Sequence, residues 1–447
     1  MTLPAAVALF LHTLCEVWAG LNVGFTATLL IGLWRLQRAR RSAAGFPSPP
    51  ATTDWPSLVI LRPCEGAEPG LFENLRSSVT ARYPGPRRVL ILVPSPDDPA
   101  YTVAQEVVRS LQAERPSPPG AAVGTVAPSV PLQAPVQIDV RPTYPPPLCN
   151  RKVFQLAQAE ALLTTDAAAT IVVGADSDVR LGDDDLPALI RPLLPAGPAA
   201  TEGPGLGATF AAPIEVAPQT LWDRIGAALV CASPQSFLAL YGLYALGRKP
   251  ASSSRPSPRV ASPMMAGALC ALRRQALSAI GGFAAFIDCL GEDNEIARRL
   301  CQHGYGIALS PLPARCYDGG RHSREVIARA ARWQAVVRAQ RPLLWPSYPL
   351  LLGALPALLP FCLLWPSQVL CGFVTILVAL RWLLARTLLR LQGLPAGPLR
   401  ALSSVFAGEL LLWLGFLYSL RSRHITWRGH RFRIARGGRL QPVDRAA

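Results

Sequence analysis

Residues 9–34 form a mostly apolar stretch long enough to cross a bilayer. Arg35, Arg38, Arg40 and Arg41 follow at once, while His12 and Glu16 lie near its start. A cleaved secretory signal would carry its charge ahead of the apolar run and end in small residues. The reverse order predicts a retained anchor over residues 1–41, with its C-terminal side in the cytoplasm. Apolar stretches return at 343–365, 368–385 and 401–420. The tail, 421–447, carries Arg421, Arg423, Arg428, Arg431, Arg433, Arg436 and Arg439, so the same rule makes it cytoplasmic. A domain and a tail on one side need an even number of crossings between them, and three stretches do not fit. The first contains Pro346, Pro349, Pro356 and Pro360, and is the one expected to lie at the interface or to re-enter. The other solution is one long segment that hides two crossings.

Charge supports a membrane protein over a nucleic-acid binder. The net charge is +16, and Lys152 and Lys249 are the only lysines. The arginines flank apolar segments instead of forming one stripe interleaved with aromatics, so no nucleic-acid partner is expected. Ten cysteines are scattered without a C-x-x-C pair, which indicates neither a zinc site nor a disulfide framework.

Residues 42–56 are a linker rich in Pro, Ser and Ala. A soluble pattern then runs over 57–342. "SLVILRP" (57–63), "RVLILVP" (88–94), "VQIDV" (136–140) and "ATIVVGAD" (169–176) read as strands. "LFENLRSSV" (71–79) and "KVFQLAQAEALL" (152–163) read as helices between them. This alternation predicts an α/β fold with a mostly parallel sheet covered on both faces. Ligands then bind beyond the carboxyl ends of the strands. Residues 115–135 and 247–259 read as insertions without chemistry.

Several residues at that edge can carry chemistry, each with a plainer alternative. Asp176 and Asp178 follow the fourth strand; as hard oxygen ligands they suit Mg2+ or Mn2+ bound with a diphosphate, or they form an Asx-type turn. "GDDDL" (182–186) is more simply a helix cap. Asp97 and Asp98 either cap the helix that begins near Pro99 or face a nucleobase. Lys152, beside Asn150 and Arg151, is an anion site at a helix start or a surface charge. In "GEDNEIARRL", Glu292, Asp293 and Glu295 crowd the first turn of an amphipathic helix. They either complement the helix dipole, or supply a general base for a hydroxyl. Arg329 and Arg332 share one helix face, followed by Trp333. They either neutralise a diphosphate and wall a sugar, or lie on anionic lipid.

The ordered set "RPCEGAEPGLFENLRS", "PDDPA", "NRKVFQL", "DSDVRL", "MAGALCALRR", "GEDNEIARRL" and "RAARWQAVVRAQRP" resembles family 2-type membrane glycosyltransferases of the ceramide glucosyltransferase group, including bacterial hopanoid-associated glycosyltransferases. The resemblance implies a GT-A nucleotide-diphospho-sugar transferase domain with N- and C-terminal transmembrane helices. It implies single-sugar transfer with inversion from a UDP-sugar to a membrane lipid, ceramide or a hopanoid. By position, Asp176 and Asp178 would hold Mg2+ or Mn2+ with the diphosphate. Asp293 would be the base, and Lys152 would contact the nucleotide. Asp97, Asp98 and Glu292 fall among the substrate contacts, and Arg329, Arg332 and Trp333 match a motif for donor and acceptor binding. Ser95 stands near a position where relatives usually carry Asp, so Asp97 or Asp98 would take over there. The implied setting is a bacterial inner membrane with a cytoplasmic catalytic domain. A processive polysaccharide synthase shares the acidic and R-x-x-R-W pattern but needs more spans for its channel. A non-catalytic membrane scaffold is the remaining alternative.

Overall fold

The computed structural model describes residues 5–44, 55–114, 136–146, 149–163, 169–194, 205–246, 264–421, 424–427 and 430–442. Both insertions, 115–135 and 247–259, lie outside the described residues, as does most of the linker 42–56. In chain order the elements are α1 (Ala5–Ala44), β1 (Ser57–Pro63), α2 (Leu71–Thr80), β2 (Arg87–Val93), α3 (Pro99–Ala113), β3 (Val136–Pro142), α4 (Arg151–Leu163), β4 (Ala169–Ala175), β5 (Val179–Arg180) and α5 (Asp185–Ile190). They continue with β6 (Leu206–Phe210), β7 (Pro213–Glu215), α6 (Leu221–Ala232), α7 (Phe237–Leu246), β8 (Leu269–Arg273), α8 (Arg274–Ala279), α9 (Glu292–Gln302), β9 (Gly306–Leu309) and β10 (Ala314–Cys316). Last come α10 (Ser323–Gln340), α11 (Leu355–Leu364), α12 (Gln368–Leu391), α13 (Pro398–Arg421), and β11 to β13 (His424–Trp427, His430–Ile434 and Leu440–Pro442).

The chain divides into two compact units, and one comprises Pro49–Ala212 and Ser257–Asp318. Its sheet has the order β3-β2-β1-β4-β8-β6-β9. Every strand runs in one direction except β8, which is antiparallel to both neighbours. Leu58 to Leu61 and Val89 to Val93 are buried throughout, as strands covered on both faces must be. The mostly parallel α/β sheet expected from the sequence is present. The carboxyl ends of β1, β2 and β4 share one edge, since all three run parallel in neighbouring positions.

The other unit comprises Met1–Ser48, Pro213–Pro256 and Gly319–Ala447. Among the described residues, four stretches are long and apolar enough to cross a membrane: Val7–Ala39, Leu221–Tyr244, Gln368–Leu391 and Pro398–Arg421. The second was not legible in the sequence, because Asp223 and Arg224 interrupt its start. Asp223 is spent locally, closing a capping box with Thr220 at the head of α6. Small residues let these helices approach closely. A Cβ on Gly32 would fall 2.5 Å from the Gly242 carbonyl oxygen, and one on Gly415 would fall 2.9 Å from the Ala330 Cβ. Gly415→Leu is therefore expected to separate α13 from α10 and lower the thermal midpoint in detergent by several degrees, overpacking costing about 1–3 kcal/mol.

The proline-rich stretch 343–365 forms no single long helix. Tyr348–Leu352 is a π turn, and α11 follows with ten residues. The broken backbone is satisfied from three neighbouring helices. The Leu350 carbonyl accepts from Trp18 Nε1 (2.7 Å) and Asn22 Nδ2 (3.1 Å) of α1. The Leu351 carbonyl accepts from Arg381 of α12 at 2.5 Å. The Gly353 carbonyl accepts from Trp413 Nε1 of α13 at 2.5 Å, and the Leu355 N–H donates to Glu409 Oε2 at 2.8 Å. Arg381 and Glu409 pair at 3.4 Å, each side chain 1% exposed.

Candidate active site

The turn after β4 carries Asp176 and Asp178 at the carboxyl edge of the α/β unit. Backbone bonds fix it: the Asp176 N–H donates to the Ala268 carbonyl (2.9 Å), and the Asp178 carbonyl accepts from the Tyr317 N–H (2.8 Å). Beneath the turn, Arg62 at the end of β1 is fully buried. It donates to the Val179 carbonyl at 2.9 Å. Burial draws its guanidinium below the usual range, against the raising influence of Cys64, Asp178 and Asp176. Sequence reasoning missed Arg62, since an arginine inside an apolar strand carries no signal of what it supports.

The helix α9 brings the acidic cluster to the same place. Gly291 precedes it at φ 73°, a left-handed conformation that favours glycine, and provides no side-chain cap. The three carboxylates of the first turn have separate fates. Glu295 is bound by Arg298 (2.5 and 2.7 Å) and Arg299 (3.2 Å). Partial burial would raise it, but these two arginines hold it below the usual carboxylate range. Glu292 accepts from Asn150 Nδ2 at 3.1 Å and pairs with Lys152 at 3.2 Å. Asp293 accepts from the Gly267 N–H at 3.0 Å and from the Asn294 N–H at 2.8 Å. Burial first, and then the charge of Glu292, push Asp293 up to about 7, against the opposing pull of Lys152 and the two N–H groups.

Lys152 links the two clusters. Its Nζ lies 2.7 Å from Asp176 Oδ1, and its position at the head of α4 is set by Asn150. The buried Asn150 side chain accepts from the Val153 N–H (3.2 Å) and donates to the Cys289 carbonyl (2.9 Å) and to Glu292. Burial disfavours the ammonium, yet Asp176 and Glu292 outweigh it and hold Lys152 well above its ordinary value. Asp176, Lys152, Glu292 and Asp293 are thus joined by direct contacts or backbone neighbours within one unit. Asn150 and Gly267 are additional members; the first had a signal, an Asn at a helix start, and the second had none.

Two other acidic motifs serve the fold's own hydrogen bonds. Asp98 caps α3, its Oδ1 accepting from the N–H groups of Ala100 (2.9 Å) and Gly66 (2.8 Å), while Asp97 is exposed. In "GDDDL" the expected cap is corrected: Asp184 precedes α5 without a side-chain cap bond. Asp185 instead folds back to the Gly182 N–H (2.7 Å) and pairs with Arg315 (2.9 Å).

Arg329, Arg332 and Trp333 lie on α10, in the other unit. Arg329 pairs with Glu215 at 3.0 Å and stacks over the Trp333 ring at 5.0 Å. Glu215, buried at the end of β7, also pairs with Arg321 at 2.9 Å. Arg321 reaches Asp223 at 3.3 Å. Glu215 was not singled out from the sequence, because its two partners are more than a hundred residues away.

Among the described residues, no group of three or more His, Cys, Asp and Glu is arranged to hold a metal by itself. Mg2+ commonly takes one or two carboxylates and completes its shell with phosphates and water. Asp176 and Asp178 fit that role: both carry hard oxygens, and Asp176 already holds a cationic group.

The profile of glycosyl transferase family 21 matches residues 20–118 and 220–440. A ceramide glucosyltransferase from Pyricularia oryzae is 37% identical over 81 residues, which is 17% of this chain and 16% of that relative's length. A mannosyltransferase from Pyrobaculum calidifontis, solved with GDP-Man and Mn2+, shares 16% identity at TM-score 0.45, covering 91% of this chain and 99% of its own. Glucosyl-3-phosphoglycerate synthase from Mycobacterium tuberculosis, solved with Mn2+ and UDP-glucose, shares 15% identity at TM-score 0.32, covering 63% and 78%. The family match takes in the acidic turn of α9 and the R-x-x-R-W run of α10. The chain belongs to glycosyl transferase family 21.

Proposed function

We propose that this enzyme transfers one sugar, with inversion, from a UDP-sugar to the hydroxyl of a membrane lipid, in the manner of a ceramide glucosyltransferase. The observation that carries the reading is the placement of Asp293, which accepts from the Gly267 N–H at 3.0 Å and follows Glu292, the residue that shares Lys152 with Asp176; burial and the charge of Glu292 push its carboxyl up to about 7. A carboxylate of that basicity accepts a hydroxyl proton far better than an ordinary one near neutral pH. The lipid oxygen then attacks the anomeric carbon from the face opposite the diphosphate. The bond to UDP breaks, and its electron pair leaves on the diphosphate. Lys152 lies where it can offset that charge. A bound Mg2+ or Mn2+, held by Asp176 and Asp178, would supply Lewis-acid stabilisation of the same leaving group. Arg329, Arg332 and Trp333 are assigned to donor and acceptor binding, and Asp97 and Asp98 to the loop that borders the nucleotide. The apolar helices support a membrane enzyme, with the arginines after α1 favouring a cytoplasmic catalytic unit.

The partial likeness to a ceramide glucosyltransferase supports ceramide as acceptor over a hopanoid. Lipid mass spectrometry of membranes with and without the protein tests this. A single hexose increment on ceramide is expected; an N-acetylhexosamine on a hopanoid would redirect the acceptor. A ladder of increments would replace the reading with a polymerase. A second expectation concerns pH. Only the ionised Asp293 is a base, so kcat/KM should rise with pH and level off above an apparent pKa near 7. Below it, the rate should fall about tenfold per pH unit. A flat profile between pH 5.5 and about 8 would remove Asp293 from the role.

A further inference from the structure

Asp176 and Glu292 stand on elements more than a hundred residues apart, yet both meet one ammonium. Lys152 Nζ lies 2.7 Å from Asp176 Oδ1, 3.2 Å from Glu292 Oε1 and 3.4 Å from the Gly267 carbonyl oxygen. Two carboxylates and a carbonyl around one positive centre form the kind of hard-oxygen set that also attracts a divalent cation. The ammonium and a divalent ion on Asp176 would compete for the same oxygens and repel each other across a few Å. The base of the lysine is fixed, because α4 is anchored through the buried Asn150. Its four-carbon stem is not, so the charged end can swing while the helix stays in place.

We infer that Lys152 is an internal stand-in cation, which occupies the oxygen-lined position until a metal–nucleotide diphosphate takes its place and offers it a phosphate instead. This rests on the proposed use of a metal-bound UDP-sugar. A bare divalent ion on Asp176 must expel Lys152 from that carboxylate and brings it no replacement, so the ammonium keeps only Glu292 and the Gly267 carbonyl. An ion arriving with a diphosphate brings the partner with it. The protein thereby loads metal and donor together and discriminates against the free ion. Glu292, which shares the lysine with Asp176, gains a role as its second holder.

The test is Mn2+ binding to the purified full-length protein in detergent, read from the paramagnetic resonance of free Mn2+. Without nucleotide, Lys152→Met should bind Mn2+ at least about tenfold more tightly than wild type, a modest outcome for removing a like charge about 4 Å away. The gain should vanish in Lys152→Met combined with Asp176→Asn. Lys152→Arg keeps the charge and should gain nothing, which guards against a trivial effect of altered folding. With UDP added the order should reverse, since only the wild type can turn its ammonium to the diphosphate. Unchanged or weaker Mn2+ binding by Lys152→Met without nucleotide overturns the inference; if Mn2+ still binds with UDP, the proposed function stands. No Mn2+ binding by any of these proteins, with or without UDP, overturns both.

Discussion

Asp293→Asn is expected to lower kcat by at least about a thousandfold, within the range that a general base contributes, and to make the protein more heat-resistant above pH 7. The first effect follows from losing the proton acceptor. The second follows from linkage. The Asp293 carboxyl has a folded-state pKa of about 7, above its ordinary value. Between the unfolded and folded values, the native state binds the proton and the unfolded state does not. Its contribution to stability is therefore fully present at low pH and is lost as pH rises towards 7. An amide never ionises and escapes that loss. Parallel thermal melts at pH 5 and pH 8 measure it, the variant's advantage appearing at the higher pH. An equally destabilised variant at both values would assign Asp293 to structure. Glu295→Gln is the matched control. Its carboxylate is held low by Arg298 and Arg299, so transfer should persist.

Arg381→Met should be the most damaging single change in the helical unit. It strands Glu409, 1% exposed, without its counter-charge, and leaves the Leu351 carbonyl without its donor. Breaking a buried pair in this way costs about 3–5 kcal/mol. Adding Glu409→Gln should recover part of the loss, because the amide oxygen can still accept from the Leu355 N–H while no charge is stranded. Thermal midpoints of the two single variants and the double variant complete the cycle. A double variant as unstable as the sum of the singles would show that the pair acts only through its separate backbone contacts.

Much of the α/β unit was legible because its strands are apolar on both faces. "SLVILRP" coincides with β1, and "LFENLRSSV" falls within α2. The reversed strand β8 was not legible, since direction within a sheet leaves no mark on a short buried run. In the helical unit, hydropathy found α1, α12 and α13 but passed over Leu221–Tyr244, whose first turn is charged. The candidate site divides similarly. Asp176 and Asp293 were visible as acidic residues at a strand end and a helix start. The different fates of Glu292, Asp293 and Glu295 were not, because Arg298 and Arg299 are near in sequence while Lys152 and Gly267 reach the turn only through the fold. Lys152 stood out as a rare lysine among arginines, but its two carboxylate partners needed coordinates.

The interrupted stretch between Tyr348 and Leu355 has a consequence for how the chain is assembled. Its carbonyls and N–H are served by α1, α12 and α13, and two of those helices are synthesised after it. On leaving the ribosome it can meet Trp18 and Asn22, while three of these five bonds wait for residues not yet made. A chain cut short before Glu409 would carry that stretch half-finished. Such a copy would expose unsatisfied backbone groups at this point to any quality control that senses them.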